Sequence, residues 1–90
     1  MDGKNKDDLM KISVELHGVL CRLAGAQRLT VQLSGQSTVA DAITAVEQLA
    51  PGMAERLEVT ACAIGDALVA RSAVLDPGTT LVLIPPVSGG

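Results

Sequence analysis

The alternation of hydrophobic and polar residues predicts two strands in the first third of the chain. Every second residue of the stretch 11–16 (KISVEL) is hydrophobic, and the same period returns in 27–33 (QRLTVQL). A period of two places the hydrophobic side chains on one face of a strand. The intervening stretch 17–25 breaks the period and contains two glycines, so we expect a loop that joins the two strands as a hairpin.

A helix is predicted after Thr38. Hydrophobic residues follow it at helical spacing, at Val39, Ala42, Ile43, Val46 and Leu49. Thr38 and Asp41 have the spacing of a capping box, in which each side chain accepts a hydrogen bond from the backbone amide of the other residue. Pro51 and Gly52 end the helix, and the stretch 53–59 is expected to add one further turn.

The rest of the chain predicts three more strands. The stretch 60–70 contains two short ones around the turn dipeptide Gly65-Asp66, and 75–80 is a turn fixed by Pro77 and Gly78. The stretch 81–84 (LVLI) is hydrophobic on both faces, so it belongs in the middle of the sheet, beside the first strand.

The order β-β-α-β-β-β predicts an α+β domain. Its sheet has four to five strands, and one main helix lies across one face. We expect a disordered leader over residues 1–10, because that stretch is polar and without period, a folded domain over 11–84, and a tail over 85–90.

Composition narrows the classes of function. Phe, Trp and Tyr are all absent, so no aromatic side chain can stack on nucleic-acid bases. The net charge is −3 and the basic residues are dispersed, whereas phosphate binding needs a basic face. No hydrophobic run approaches the length of a membrane span, and no signal peptide follows Met1. We expect a cytoplasmic protein that binds neither nucleic acid nor membrane.

The side chains offer little for catalysis. The one histidine, His17, and the two cysteines, Cys21 and Cys62, have no metal-ligand spacing, so we expect no metal site. A Cys–His pair is conceivable, but no third residue is indicated that would orient it. Two reduced structural thiols are the simpler interpretation. We therefore expect no enzyme activity from this chain alone.

The C-terminal tail begins with two prolines. Pro85 and Pro86 cannot donate hydrogen bonds to a sheet, so strand pairing should end near Ile84. Each proline also favours an extended conformation in the residue before it. The tail should therefore project away from the domain.

The end of the tail is suited to an acyl-transfer reaction. Val87 and Ser88 extend it, and Gly89 and Gly90 then remove all side-chain bulk, so the tail can enter a narrow tunnel in another protein. Without a Cβ, nothing crowds the carboxylate carbon of Gly90. A free carboxylate has no leaving group, so an enzyme would first have to activate it with ATP.

The string at residues 83–90 (LIPPVSGG) resembles the C-terminal signature of the MoaD/ThiS family of ubiquitin-like sulfur carriers, which includes the small subunit of molybdopterin synthase. The resemblance extends from about Lys11 to Gly90. It includes Gly25 after the first strand and Gly78 before the last. It implies the β-grasp (ubiquitin-like) fold, in which the last strand pairs in parallel with the first.

The resemblance also implies a reaction. An E1-like adenylyltransferase of the MoeB type uses ATP to adenylate the terminal glycine, here Gly90, and sulfur delivery then gives a thiocarboxylate. In the molybdopterin branch, the loaded tail enters the large synthase subunit, MoaE, and donates sulfur to cyclic pyranopterin monophosphate on the way to a molybdenum or tungsten cofactor. The chain itself would bind no cofactor.

Family members dock on partners through hydrophobic sheet residues, and Leu68 and Ile84 occupy those places. The first loop departs from the family pattern: His17 stands at an aromatic position of this docking surface, Cys21 replaces an arginine and Arg22 replaces a glutamate. These changes affect the identity of the partners more than the chemistry of the tail.

Two alternatives stay open. The chain could be a ubiquitin-like modifier that is joined through Gly90 to lysines of target proteins. It could also be a sulfur carrier for another pathway, such as cysteine or thiamine biosynthesis.

Overall fold

The computed structural model describes residues 9–86. In chain order the elements in this range are β1 (Leu9–Leu16), α1 (Val19–Ala24), β2 (Arg28–Ser34), α2 (Val39–Leu49), a 3₁₀ turn (Pro51–Met53), α3 (Ala54–Leu57), β3 (Ala61–Ile64), β4 (Ala67–Leu68) and β5 (Thr80–Ile84). The strands of this range form one five-stranded sheet in the order β2-β1-β5-β3-β4. None of the helices in residues 9–86 has the length and hydrophobicity needed to cross a membrane.

The sheet has the mixed pairing of a β-grasp fold. β1 is antiparallel to β2 and parallel to β5, and β3 is antiparallel to β5. The last strand therefore lies in the middle of the sheet beside the first, as its hydrophobic pattern predicts. On β5, Leu81 and Leu83 are fully buried. The five-stranded sheet with α2 across one face confirms the predicted ubiquitin-like architecture.

The predicted capping box opens α2. The backbone amide of Asp41 donates to the Thr38 hydroxyl at 3.3 Å, and the amide of Thr38 donates to the Asp41 carboxylate at 2.9 Å. Val39, Ala42, Ile43 and Val46 are buried against the sheet, but Leu49 is 60% exposed. Ten positions at about 100° per residue rotate Leu49 roughly 80° away from Val39, so it lies at the margin of the stripe.

One core lies between α2 and the sheet. β1 contributes every second residue to it, with Ile12 and Val14 completely buried. The turn after α2 adds Met53 and Leu57, which are buried as well. The predicted extra turn in 53–59 is confirmed, because Pro51 begins a 3₁₀ turn that runs into α3.

The prediction of a loop over residues 17–25 is wrong in part, because the segment contains the short helix α1. Leu20 anchors this helix in the core, with no exposed surface. Gly25 ends it in a left-handed conformation, with φ at 73°, and its amide donates to the Cys21 carbonyl at 2.9 Å. A glycine in that conformation is a common helix terminator, so Gly25 was the sequence signal for α1.

The folded domain also begins earlier than the predicted boundary between residues 10 and 11. β1 starts at Leu9, because its ladder with β2 pairs Leu9 with Ser34 and Met10 with Leu33. Met10 is only 5% exposed and belongs to the core. Residues 1–8 of the predicted leader lie outside the described range.

Arg71 forms hydrogen bonds with two separate parts of the fold. Its guanidinium donates to the carbonyls of Leu57 and Thr60 at 2.6 and 2.9 Å, where the chain leaves α3. The carbonyl of Arg71 in turn accepts from the amide of Ala40 at 2.9 Å, in the first turn of α2. This residue therefore satisfies backbone groups at the ends of two helices, which would otherwise lack partners.

We expect Arg71→Met to lower the free energy of unfolding by about 2 kcal/mol, since partly buried carbonyls would lose charge-assisted hydrogen bonds. Urea unfolding followed by circular dichroism measures the change. Arg28→Met is the matched control, because Arg28 makes only an exposed contact with Glu15 at 3.5 Å, and its loss should cost less than about 0.5 kcal/mol. Equal losses in the two variants would contradict a structural role for Arg71.

Candidate functional site

The base of the tail lies at the end of the central strand. β5 ends at Ile84, directly before Pro85, which agrees with the predicted end of strand pairing. Pro85 is half-buried and Pro86 is exposed. Val87, Ser88, Gly89 and Gly90 lie outside the described residues, so their threading and reactive roles stay predictions.

Gly18 packs against the first proline of the tail. A Cβ built on Gly18 would lie 3.4 Å from Cγ of Pro85, and the φ of Gly18 is +56°. This backbone conformation favours glycine over residues with a side chain, and the distance from the built Cβ to Pro85 is that of a van der Waals contact. The loop between β1 and α1 therefore supports one side of the tail where it leaves the sheet.

A groove surrounds this point, and we call it the basal groove. It is open, has a volume of about 450 Å³, and is lined by His17, Gly18, Val19, Arg22, Arg56, Ile84, Pro85 and Pro86. Three elements thus meet at the tail: α1 carries Arg22, α3 carries Arg56 and β5 supplies Ile84. The lining includes no Asp or Glu residue.

His17 lies at the rim of the basal groove and is exposed. Its Nε2 lies 2.9 Å from Oε2 of Glu15, and Arg28 approaches the other oxygen of that carboxylate at 3.5 Å. Glu15 therefore holds His17 in place from the helix-free face of the sheet. Each carboxylate oxygen of Glu15 therefore has a side-chain partner, His17 for one and Arg28 for the other.

The helix-free face of the sheet carries a hydrophobic area next to the tail, which we call the sheet patch. It consists of Ala61, Ala63, Leu68, Val82 and Ile84. Strand register aligns Leu68 with Ala63 and Ala63 with Val82 in one row, while Ala61 faces Ile84 in the next. Leu68 is 74% exposed and Ile84 is 41% exposed. Ala63 is only 7% exposed, so Leu68, Ile84 and Ala61 contribute most of the exposed surface of the patch. Exposed hydrophobic surface on one face of a sheet is typical of protein-binding sites.

The two cysteines provide no catalytic arrangement. Cys62 is buried in the core, and burial raises the pKa of its thiol, although the positive charge of Arg71 acts in the opposite direction. Cys21 is half-buried, and in the described part of the chain no hydrogen bond joins it to His17. Within residues 9–86, no group of three potential metal-ligating side chains comes together.

The structure brings some of the predicted site residues together. His17, Ile84, Pro85 and Pro86 all line the basal groove, and Leu68 shares the sheet patch with Ile84 although β3 separates their strands. The sequence pattern did not indicate Arg22 or Arg56 as neighbours of the tail. No local signal could have done so, because only the packing of α1 and α3 places both side chains there.

This geometry suits presentation to a partner more than catalysis. The described residues offer an exposed hydrophobic surface, an adjoining positively charged groove and a proline-stiffened exit for the chain. They offer no nucleophile with an oriented base.

Comparisons with known proteins agree with this architecture. The sequence model of the ThiS family matches residues 14–90. The crystal structure of SAMP1 from Haloferax volcanii is similar to the chain, with 26% identity and a TM-score of 0.82, over 89% of this chain and 99% of that one. No curated protein matches the sequence.

Two solved complexes contain similar chains. In the BexX/CysO complex of Amycolatopsis orientalis, the identity is 26% and the TM-score 0.68, over 88% of this chain and 99% of that one. In the complex of subunits 1 and 2 of the molybdopterin-converting factor from Helicobacter pylori, the identity is 26% and the TM-score 0.61, over 90% of this chain and 100% of that one.

Proposed function

This chain belongs to the ThiS family of ubiquitin-like sulfur carriers, and we propose that it is the small, sulfur-donating subunit of a molybdopterin synthase. The observation that carries the proposal is the end of β5: the central strand runs directly into a proline-stiffened tail that finishes in Gly89-Gly90. The likeness to the molybdopterin-converting factor complex supports the choice of pathway.

The proposed cycle begins with activation of the tail. An E1-like adenylyltransferase of the MoeB type joins the Gly90 carboxylate to AMP from ATP and releases pyrophosphate. A sulfur donor then attacks the acyl carbon and AMP leaves, so that one carboxylate oxygen is replaced by sulfur. The ATP belongs to the partner, and this chain supplies only the acyl group.

The second half of the cycle takes place in the large subunit, of the MoaE type. The sulfur of the Gly90 thiocarboxylate forms a bond to a carbon of cyclic pyranopterin monophosphate in place of an oxygen substituent. Water then cleaves the acyl–sulfur bond of this thioester, which leaves the sulfur on the pterin and restores the carboxylate. The narrow Gly89-Gly90 end admits the tail to an enclosed site, while the sheet patch stays outside as the docking surface.

The decisive experiment is reconstitution of sulfur loading. The chain is incubated with the adenylating enzyme from the same genome, ATP and a sulfur donor, and its intact mass is measured. We expect the mass gain that corresponds to exchange of one oxygen for sulfur, with none when ATP is left out. An unchanged mass with an adenylating enzyme that loads another carrier would contradict the proposal.

The pathway is tested separately. The loaded chain is mixed with the large synthase subunit and cyclic pyranopterin monophosphate, and molybdopterin is detected as its fluorescent oxidation product. Loading without molybdopterin formation would favour a carrier for another pathway, such as cysteine or thiamine biosynthesis. The likeness to the BexX/CysO complex is the observation that supports this alternative.

A protein modifier is the second candidate. Its support is the likeness to SAMP1, a small archaeal modifier protein, over nearly the whole chain. A modifier would form isopeptide adducts between Gly90 and lysines of other proteins. Arg71 is the last basic residue of the chain, so trypsin would leave residues 72–90 attached to a modified lysine. Mass spectrometry of digested cell extracts for lysines that carry this remnant distinguishes this function from sulfur transfer alone.

A further inference from the structure

The basal groove holds two arginines without an acidic partner. No carboxylate lies within ion-pair distance of Arg22 or Arg56 in the part of the chain that the structure describes. The arginines elsewhere in that part are engaged, since Arg28 contacts Glu15 and Arg71 binds backbone carbonyls. In a chain with a net charge of −3, the groove is thus a local concentration of positive charge beside the tail.

A partner that encloses the tail must also cover this groove. Pro85 and Pro86 line it, and the next residue, Val87, begins the segment that would enter a tunnel. Ile84 belongs to both the groove and the sheet patch, so the two surfaces are continuous. A protein that binds the patch and takes in the tail therefore lies against Arg22 and Arg56.

Covering a guanidinium group without supplying an acceptor is unfavourable. A guanidinium ion that loses its water and finds no partner is strongly disfavoured, whereas a carboxylate in hydrogen-bond contact restores the lost interaction. A bidentate arginine–carboxylate pair also fixes the orientation of the two surfaces. Two such pairs beside the tail exit would thus align the tail with its tunnel.

We infer that the basal groove docks an acidic segment of the adenylating enzyme, with Asp or Glu side chains that pair with Arg22 and Arg56. The inference rests on the proposed activation of Gly90. It commits to the activating enzyme because sulfur transfer and protein modification both begin with that step. A second copy of this negatively charged chain is a poorer match, since like net charges repel.

The pairing makes the groove a determinant of partner choice. Arg22 stands where the resemblance to sulfur carriers places a glutamate, so a partner built for that glutamate would present the wrong charge here. Opposite charges at a docking rim accelerate encounter and reject unmatched partners. An adenylating enzyme with acidic residues around its tunnel mouth should accept this chain in preference to a carrier with glutamate at this position.

Charge reversal tests the inference. Arg22→Glu, Arg56→Glu and the double variant are assayed with the adenylating enzyme from the same genome by ATP–pyrophosphate exchange. We expect the KM for the carrier to rise roughly tenfold for each reversed charge, with kcat unchanged because the tail is intact. The increase should shrink in high salt, since screening weakens exposed charge pairs.

Lys11→Glu is the matched control, because it makes the same charge change at an exposed position on the other end of β1. Arg22→Gln and Arg56→Gln remove charge without adding any and should raise KM by less. Circular dichroism verifies that each variant is folded. If the wild type is activated and the double variant keeps its KM within about twofold, the inference is wrong and the proposed function stands. If the wild type is not activated at all, both fall.

Discussion

Deletion of Gly90 is expected to abolish thiocarboxylate formation while leaving the fold unchanged. In the proposed cycle the reaction takes place on the terminal carboxylate, and removing one residue would shorten the tail so that its end no longer reaches the site of adenylation. The fold should tolerate the deletion because β5 ends at Ile84 and the core residues of the described range all precede that position. Intact-mass measurement after the loading reaction and thermal unfolding measure the two effects.

The control for this deletion is Gly52→Ala. A Cβ at Gly52 meets no atom within 4 Å, and its φ lies outside the left-handed region, so the substitution should alter neither loading nor stability. If thiocarboxylate formed on the chain that lacks Gly90, the length of the tail would not be critical for its activation. A large loss of thermal stability would instead show that the end of the chain contributes to the core.

Leu68→Asp is expected to weaken binding to the partner by at least about 2 kcal/mol, or roughly thirtyfold in Kd, without loss of stability. Leu68 is the most exposed large side chain of the sheet patch, and a partner that covers it would bury an unpaired carboxylate in the variant. Isothermal titration calorimetry with the adenylating enzyme or the large synthase subunit measures the affinity.

Leu49→Asp is the comparison for Leu68→Asp. Leu49 is also an exposed leucine, but it lies on α2, on the opposite side of the sheet from the patch. The same substitution there should leave the Kd within about twofold of wild type. Equal weakening by both substitutions would mean that the sheet patch is not the docking surface.

Much of the fold could be predicted from residue periodicity. Hydrophobic and polar residues alternate in β1 and β2 because one face of each strand lies toward the core. The hydrophobic stripe of α2 and its capping box, Thr38 and Asp41, are both evident in the sequence. The central position of β5 follows from its hydrophobic run, although only the face with Leu81 and Leu83 is fully buried and Ile84 on the other face is exposed. The hydrophobic pattern of each of these elements shows which of its faces packs on the core, and that pattern can be read without tertiary contacts.

The parts that were missed depend on tertiary contacts. α1 has only six residues, too few for a helical period to stand out, and it is held by the burial of Leu20. The start of β1 was placed too late because Leu9 and Met10 follow a polar stretch, and only the ladder with β2 draws them into the sheet. Leu49 was included in the core stripe although helix geometry turns it toward solvent.

The site was predictable to a similar extent. The tail and its prolines are evident in the sequence, and the resemblance to sulfur carriers pointed to Leu68, Ile84 and His17 as docking residues. All three side chains are exposed, and His17 and Ile84 line the basal groove, but the docking role of the three residues stays a prediction. The resemblance also pointed to Arg22 as a departure in the first loop, but the meeting of Arg22 with Arg56 beside the tail could not be anticipated, because the two side chains belong to separate helices.

The central position of β5 has a mechanical consequence. The strand that leads into the tail is hydrogen-bonded along both edges, to β1 in parallel and to β3 in the opposite direction. Force applied to the chain end would have to shear two rows of hydrogen bonds together instead of peeling an outer strand away. In the proposed cycle, in which partner enzymes bind and release the tail, this pairing would protect the domain from unfolding under force on the chain end.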